Sequence, residues 1–568
     1  MNMRVTWPEV GAHRALVDGI CGASFEADAV IFDLADGRVA AVSAARLYDD
    51  AAELFDRASG QRRFPAVSED RRIIALQVGT DGLRVIFDNR AERVWTFADL
   101  ARFARLSGTE HAAGDAAQSS RSSLGRDFCR PVEAHPTNPR IRLAEADAKD
   151  FLRYDHACRQ ALAAVARRGA CLLKGHAASP GGLEAIVARF GHIRQTNYGR
   201  LFDVRVEAAA ANLAFTDLGL APHTDNPYRE PPPTLQLLHC LHAAASGGQT
   251  ILVDGLAVAN ELRRDNPAAF EILATTPVHF AWGDADISLE AWAPVIERDL
   301  RGEVVGLRVN DRSLTGDDRR AWRDAYRALT ARLGDPSVQY RFTLEPGDVL
   351  LFDNRRVLHG RTAYAGGARW LQGCYADMDA LLGRLRVLER TEAQARADAA
   401  LAVLEGPAGD ATYGEGVTLR AHCLQAAALA RAAGASPARV AAALLHDIGW
   451  ALGGAHEAAG ADFVEARFGA DVARPIRRHV EAKRYLVATD PTYLARLSSA
   501  SIQTLALQGG AMSLDETHRF AQERGFAEAL ALRRWDDQAK DPLVSTVDAA
   551  VYRDLLVGCA LTALRATT

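Results

Sequence analysis

The sequence predicts a multidomain protein in which a small β-rich N-terminal domain precedes an antiparallel β barrel or sandwich and an all-α C-terminal domain. Three observations carry that expectation. A chain of 568 residues holds about three domains at roughly 100–200 residues each. Strand-like apolar runs recur at short intervals up to about residue 388. Beyond Arg390 the texture changes, and Ala-rich helical patterns run to Thr568 with hardly any β-branched stretch.

In chain order, residues 1–106 alternate polar turns with β-rich stretches at Asp28–Leu34, Arg71–Val78, Leu83–Asp88 and Arg93–Thr96, and close on the helically spaced FADLARFARL. Residues 107–127 are rich in Ser, Gly and Ala without apolar periodicity, which predicts a linker. From 128 to 390 the runs ACLLKG, TLQLLHCL, QTILVDG, DVLLFDN and ARWLQGCYA read as strands, with helical insertions at Leu183–Phe190 and Asp318–Leu333. The all-α domain is expected over 391–568.

Lys plus Arg number 67 and Asp plus Glu 72, a net charge of −5. That balance gives no electrostatic reason to bind nucleic acid or an anionic membrane and favours a small-molecule partner. Apolar runs fall short of the roughly 18–20 residues of a membrane helix, and the N-terminus has no signal-type apolar core, so a cytoplasmic protein is expected. Homo-oligomerisation is left open. Eight cysteines without a CxxC pair argue against a thiolate zinc site or a disulfide framework. Metals must then be held by His and carboxylates.

The stretch APHTDNPYREPPPTLQLLHC holds His223 and Asp225, and residues i and i+2 of an extended segment project from one face. His359, in DVLLFDNRRVLHGRTAY, supplies a third ligand. Two His and one carboxylate form a facial triad that suits ferrous iron and leaves positions for O2 and a chelating cosubstrate. Arg369 follows ten residues later in ARWLQGCYA, where a guanidinium can clamp a carboxylate such as that of 2-oxoglutarate.

These motifs resemble the TauD/TfdA superfamily of Fe(II)/2-oxoglutarate dioxygenases, and more closely its γ-butyrobetaine hydroxylase-like branch, across about 260 residues. The resemblance implies a double-stranded β-helix (jelly-roll) with His223, Asp225 and His359 on iron and Arg369 on 2-oxoglutarate. That branch surrounds a trimethylammonium group with aromatic rings, and the matching positions are Tyr198, Phe202, Phe215 and Tyr375. Asn212 and Asn310 match its carboxylate-binding asparagines, whereas Asn226 stands where those enzymes carry tyrosine. Arg312 and Arg319 are candidates for a dianionic end such as a phosphonate. The N-terminal region resembles the branch's zinc-binding accessory domain, but Ala51 and Ala52 occupy its cysteine region, which implies that zinc is not held there.

A second constellation surrounds His446-Asp447 in ARVAAALLHDIGW, since adjacent His-Asp at a helix end marks HD-superfamily metal sites. With His422, His456, His479 and Asp536 or Asp537 the set provides four His and two Asp, enough for two metals bridged by one Asp. His479 and Lys483, four apart, share a helix face, which puts an ammonium beside the metals. Tyr413-Gly-Glu415 upstream of His422 resembles the segment of HD-type mixed-valent diiron oxygenases that cleave 1-hydroxy-2-aminoethylphosphonates, although one residue fewer separates the two. In that family the Tyr and Glu cover the metals and contact the substrate amine, and the resemblance favours Asp536, four residues before Lys540, over Asp537. Together the two halves imply a bifunctional phosphonate-degrading oxygenase with mononuclear Fe(II), 2-oxoglutarate, O2 and a diiron Fe(II)/Fe(III) centre. It would hydroxylate C1 of an aminoethylphosphonate and then cleave its C–P bond. The competing expectations are a carnitine-pathway hydroxylase fused to an HD phosphohydrolase, and an HD domain that binds a ligand without turnover.

Overall fold

The computed structural model describes residues 3–5, 20–34, 39–51, 71–78, 82–96, 99–100, 141–206, 217–284, 286–317, 319–365, 369–412, 416–453 and 455–566, and the structural statements below concern these. The chain divides into two compact units, Met1–Leu382 and Gly383–Thr568. The split between these units and the boundary expected after residue 390 both fall inside the helix Met378–Glu405. An unbroken helical pattern leaves no compositional mark where one unit ends. The linker expected at 107–127 and position Ala52 lie outside the described residues.

The first unit opens with an antiparallel sheet of Met3–Val5, Ile20–Phe25, Ala29–Leu34 and Val39–Ser43, then a second of Ile73–Val78, Gly82–Phe87 and Glu92–Thr96. Alternation in Val39–Ser43 turns Ala40 and Val42 inward, where Phe32, Leu47, Val85 and Phe87 complete a core. Asp49, at the end of the short helix Ala44–Asp49, is buried against Arg323 of the helix Arg320–Gly334 at 2.7 Å.

The central region is built on a six-stranded sheet in the order Phe202–Arg205, Trp370–Ala376, Leu235–His242, Val349–Asp353, Ala170–Lys174, Ala144–Asp147. A four-stranded sheet follows the order Leu220–His223, Val357–Arg361, Thr250–Asp254, Tyr340–Phe342. Strands Leu235–His242 and Val349–Asp353 are buried almost throughout, matching their unbroken apolar runs. Both sheets are antiparallel except for the pair Ala144–Asp147 and Ala170–Lys174. The helical insertions are seen at Gly182–Ala188 and Arg320–Gly334.

The second unit is helical: Leu419–Ala432, Pro437–Leu445, His456–Phe468, Ala470–Thr489, Ser499–Leu507, Leu514–Ala521, Phe526–Gln538 and Arg553–Ala566. Ala426, Ala427, Ala430, Ala441 and Ala443 are buried in its core. Such small side chains let helix backbones approach closely, so the Ala-rich composition is a packing requirement as well as a helix propensity. Among the described residues no helix is long and apolar enough to cross a membrane.

Candidate metal centres

In the first unit, antiparallel register sets His359 directly opposite His223. Asp225 lies two residues beyond His223, and the three ligand atoms fall within 4.8 Å of one another. Asp225 Oδ1 is 3.3 Å from His223 Nε2, and Oδ2 is 3.7 Å from His359 Nε2. His223 Nδ1 lies 2.9 Å from the Ala221 carbonyl, a bond it can make only as donor, which leaves Nε2 as a lone pair toward the cluster. Burial, followed by the charge of His223, lowers His359 to about 3, so its imidazole is neutral and ready to bind a cation. Burial opposes ionisation of Asp225, yet the two imidazoles and Arg312 hold its carboxyl well below the usual range. Gln236 Nε2 and the Tyr375 hydroxyl donate to Asp225 Oδ2 at 2.8 and 2.9 Å, and Asn354 holds its backbone N–H at 2.8 Å.

His223, Asp225, His359, Gln236 and Tyr375 line a cavity of about 100 Å³. At one part of the wall stands Arg369, which precedes its strand by one residue and is buried with Nη1 unpartnered. Burial lowers its basicity, and the Tyr364 ring lies 5.4 Å from the guanidinium. A buried guanidinium with an unused N–H fits an anionic partner. Elsewhere the wall is aromatic: Tyr198, Phe202 and Tyr375 are joined by Tyr228 and Trp282. Ring centroids are 6.2 Å apart for Tyr198–Phe202, 5.6 Å for Tyr198–Trp282 and 5.0 Å for Phe202–Tyr375. Phe202 pairs with Gly373, and a Cβ there would sit 2.4 Å from the Phe202 ring, so the glycine makes room for it.

Arg312 lines this cavity, 3.9 Å from Asp225, whereas Arg319 is paired with Asp317 on the surface at 2.7 Å. Asn226 and Asn310 also line it. Asn310 is engaged on both ends, donating to the Thr224 carbonyl and accepting from Arg312. Asn212 and Phe215 lie outside the described residues.

In the second unit the ligands stand at helix ends and on helix faces. His422 comes from Leu419–Ala432, His446 caps Pro437–Leu445 with Asp447 next to it, and His456 opens His456–Phe468. His479 and Lys483 lie on Ala470–Thr489, and Asp536 on Phe526–Gln538. The ligand atoms form two groups that share Asp447. Asp447 Oδ2 is 3.5 Å from His422 and 3.6 Å from His446, while Oδ1 is 3.7 Å from His456 and 3.6 Å from His479. Asp536 joins the first pair, 3.4 Å from His422 and 3.9 Å from His446. Asp537 faces elsewhere, bonded to the Tyr493 hydroxyl and Arg533. His422, His446 and His479 each meet a backbone carbonyl through Nδ1 at 2.6 to 2.9 Å, again presenting Nε2 inward. Despite burial, Asp447 and Asp536 raise His422 to about 10, so a proton collects where a metal cation fits.

The adjoining cavity of about 90 Å³ is lined on one side by Lys483, Arg533 and Lys540, with Ser501, Thr504 and Gln508 among them. Lys483 donates to Thr504 at 3.0 Å and Lys540 to Ser501 at 3.0 Å. Trp450 stacks on His456 at 4.5 Å. Tyr413 and Glu415 lie outside the described residues. Ser501, Thr504 and Gln508 were not foreseen, though their spacing of three and four puts them on one helix face, a signal the sequence carries. Tyr228 was visible within DNPYRE, three residues after Asp225; nothing local marks Trp282.

Comparison with known proteins agrees with this division. The model of the taurine catabolism dioxygenase TauD, TfdA family matches residues 133–375, and that of the HD domain matches 419–507. A gamma-butyrobetaine dioxygenase of Pseudomonas sp. (strain AK-1) is 36% identical over 331 residues, covering 57% of this chain and 83% of that protein. The gamma-butyrobetaine dioxygenase of Homo sapiens is 34% identical over 285 residues, covering 48% and 73%. The mitochondrial trimethyllysine dioxygenase of Homo sapiens is 34% identical over 216 residues, covering 36% and 51%.

Proposed function

This chain belongs to the taurine catabolism dioxygenase TauD, TfdA family, and from that premise we propose that it is a bifunctional enzyme of organophosphonate breakdown. The first site would hydroxylate C1 of 2-(trimethylammonio)ethylphosphonate or 2-aminoethylphosphonate. The second would cleave the C–P bond of the resulting 1-hydroxyphosphonate, releasing phosphate and glycine betaine or glycine. One observation carries the reading: the same chain has an aromatic-walled cavity beside a two-His, one-carboxylate cluster and a second cavity in which three cations stand beside a double cluster. The first suits a quaternary ammonium and the second an oxyanion of high charge.

Bound Fe(II) with 2-oxoglutarate supplies O2-dependent hydroxylation at the first site, and a mixed-valent Fe(II)/Fe(III) pair supplies O2-dependent C–P cleavage at the second. His223, Asp225 and His359 would hold the mononuclear iron, and Arg369 the distal carboxylate of 2-oxoglutarate. Gln236 and Tyr375 donate to Asp225 Oδ2, so Oδ1 would be the oxygen left to hold the metal. The rings of Tyr198, Phe202 and Tyr375 exclude water and receive the ammonium, while Arg312 and Asn226 face its anionic end and Asn310 holds Arg312. In the second unit Asp447 would bridge two irons, with His422, His446 and Asp536 on one and His456 and His479 on the other. Lys483, Arg533 and Lys540 would hold the phosphonate.

The test incubates the purified full-length protein in air with Fe(II), 2-oxoglutarate and each candidate phosphonate, following succinate and phosphate separately. Both products are expected. Anaerobic phosphate release from the synthetic 1-hydroxyphosphonate, or full release with Mg(II) alone, would make the second site a phosphohydrolase instead.

A further inference from the structure

A line of hydroxyl and amide groups along the first cavity has a direction that hydrogen-bond chemistry fixes. Tyr228 Oη lies 2.6 Å from Asn226 Oδ1, an atom that only accepts, so the single Tyr228 proton goes there. Tyr198 Oη is 3.1 Å from Tyr228 Oη. With the Tyr228 proton already placed, Tyr198 is the donor in that second bond. With its oxygen taken by Tyr228, the amide has its nitrogen left over. Asn226 Nδ2 is buried without a hydrogen-bond partner, on a residue only 4% exposed that lines the cavity.

The backbone supports this placement. Asn226 has φ 54°, in the left-handed region that asparagine adopts more readily than aromatic or β-branched residues. The chain therefore turns directly after Asp225, and an amide rather than a ring stands beside the cluster. Asn310 does not offer the same service, because its oxygen already accepts from Arg312 and its nitrogen donates to the Thr224 carbonyl. A buried N–H2 group with no acceptor is unfavourable as it stands, and an oxyanion of a bound substrate would satisfy it.

We propose that Tyr228 is a positioning residue for the anionic end of the substrate: its hydroxyl holds Asn226 so that the amide N–H2 donates to a phosphonate or carboxylate oxygen. The same hydroxyl accepts from Tyr198, a ring of the cationic end, so one hydrogen-bonded line joins the two recognition elements. This inference rests on the zwitterionic-substrate reading above.

The experiment measures succinate formation by the full-length enzyme with 2-(trimethylammonio)ethylphosphonate and, separately, γ-butyrobetaine. Tyr228→Phe keeps the ring and removes only the hydroxyl. It is expected to raise KM for the zwitterion about tenfold, the order expected for a hydrogen bond to a charged group, while KM for 2-oxoglutarate stays put and kcat falls by less than about twofold. Asn226→Asp fits the same left-handed backbone and still accepts from Tyr228, but turns an oxygen toward the substrate anion; it should raise KM more than Asn226→Ala. Wild-type turnover with an unmoved KM in Tyr228→Phe, or Asn226→Asp binding as well as Asn226→Ala, overturns this inference alone. No succinate above the substrate-free background from either zwitterion overturns the proposed reaction, and this inference with it.

Discussion

In the first unit three ligand side chains come from one strand, its extension and a neighbour, with His359 set opposite His223 by antiparallel register; in the second, six come from five helices and their ends. The two aspartates show what that difference does. Asp225 has one oxygen occupied by Gln236 and Tyr375, so a single oxygen remains for a metal. Asp447 has a histidine pair on each oxygen and so divides its carboxylate between two positions. The walls differ in the same sense. Five aromatic rings together with Arg312, Arg361 and Arg369 surround the first cluster, whereas cations, hydroxyls and an amide without such a ring cage flank the second.

The contrast is broken most directly through the ligands. His223→Ala or Asp225→Ala should abolish succinate formation while phosphate release from synthetic 1-hydroxyphosphonate persists, and Asp447→Ala should do the reverse. Metal analysis should show a loss of about one ion for Asp225→Ala and about two for Asp447→Ala. Equal losses, or loss of both activities in either variant, would mean that the two aspartates do not play different parts. Arg369→Ala comes next. Removing a charge-assisted contact of about 1.5–3 kcal/mol should raise the KM for 2-oxoglutarate by roughly 10- to 100-fold and leave the second reaction alone. Tyr198→Ala should weaken binding of a trimethylated substrate by up to about 30-fold, since one cation–π contact is worth about 0.5–2 kcal/mol. Equal turnover of methylated and primary amines by the wild-type enzyme would show that the rings do not choose the substrate.

The smallest effect concerns pH at the second site. Burial, followed by the charge of Arg533, lowers Lys483 to about 8. Below that pH Lys483 carries its proton and can hold an anion; above it the charge is lost. KM for the hydroxyphosphonate should therefore rise a few-fold as pH climbs past about 8, and Lys483→Arg, which stays protonated, should flatten the profile. A pH-independent KM in the wild type would remove Lys483 from the anion site.

The sequence made the ligand sets readable because their spacing is local: i and i+2 on a strand put His223 and Asp225 together, and four residues on a helix put Lys483 beside His479. It could not separate Asp536 from Asp537, because neighbours on a helix point about 100° apart and only packing decides which one turns inward; Arg533 and Tyr493 draw Asp537 away. Arg312 and Arg319 were indistinguishable for a similar reason, until the turn after Asn310 put one in the cavity and Asp317 kept the other outside. Trp282 reaches the wall from the strand Val278–Gly283, and only tertiary folding brings it beside Tyr198 and Tyr228. The edge expected at 390 and the split after Leu382 share one helix, and a helix that continues through a boundary carries no sign of where it lies.

The glycine beneath Phe202 gives the first cavity a hidden gauge. A methyl group at position 373 would stand 2.4 Å from the ring, so it would press the ring from below like a wedge under a tile. A Gly373→Ala change looks conservative in the sequence alone, yet it could be accommodated only by shifting that ring or the strand beneath it. Its cost would surface in what the cavity admits rather than in survival of the protein, because Phe202 is one of the rings of its wall.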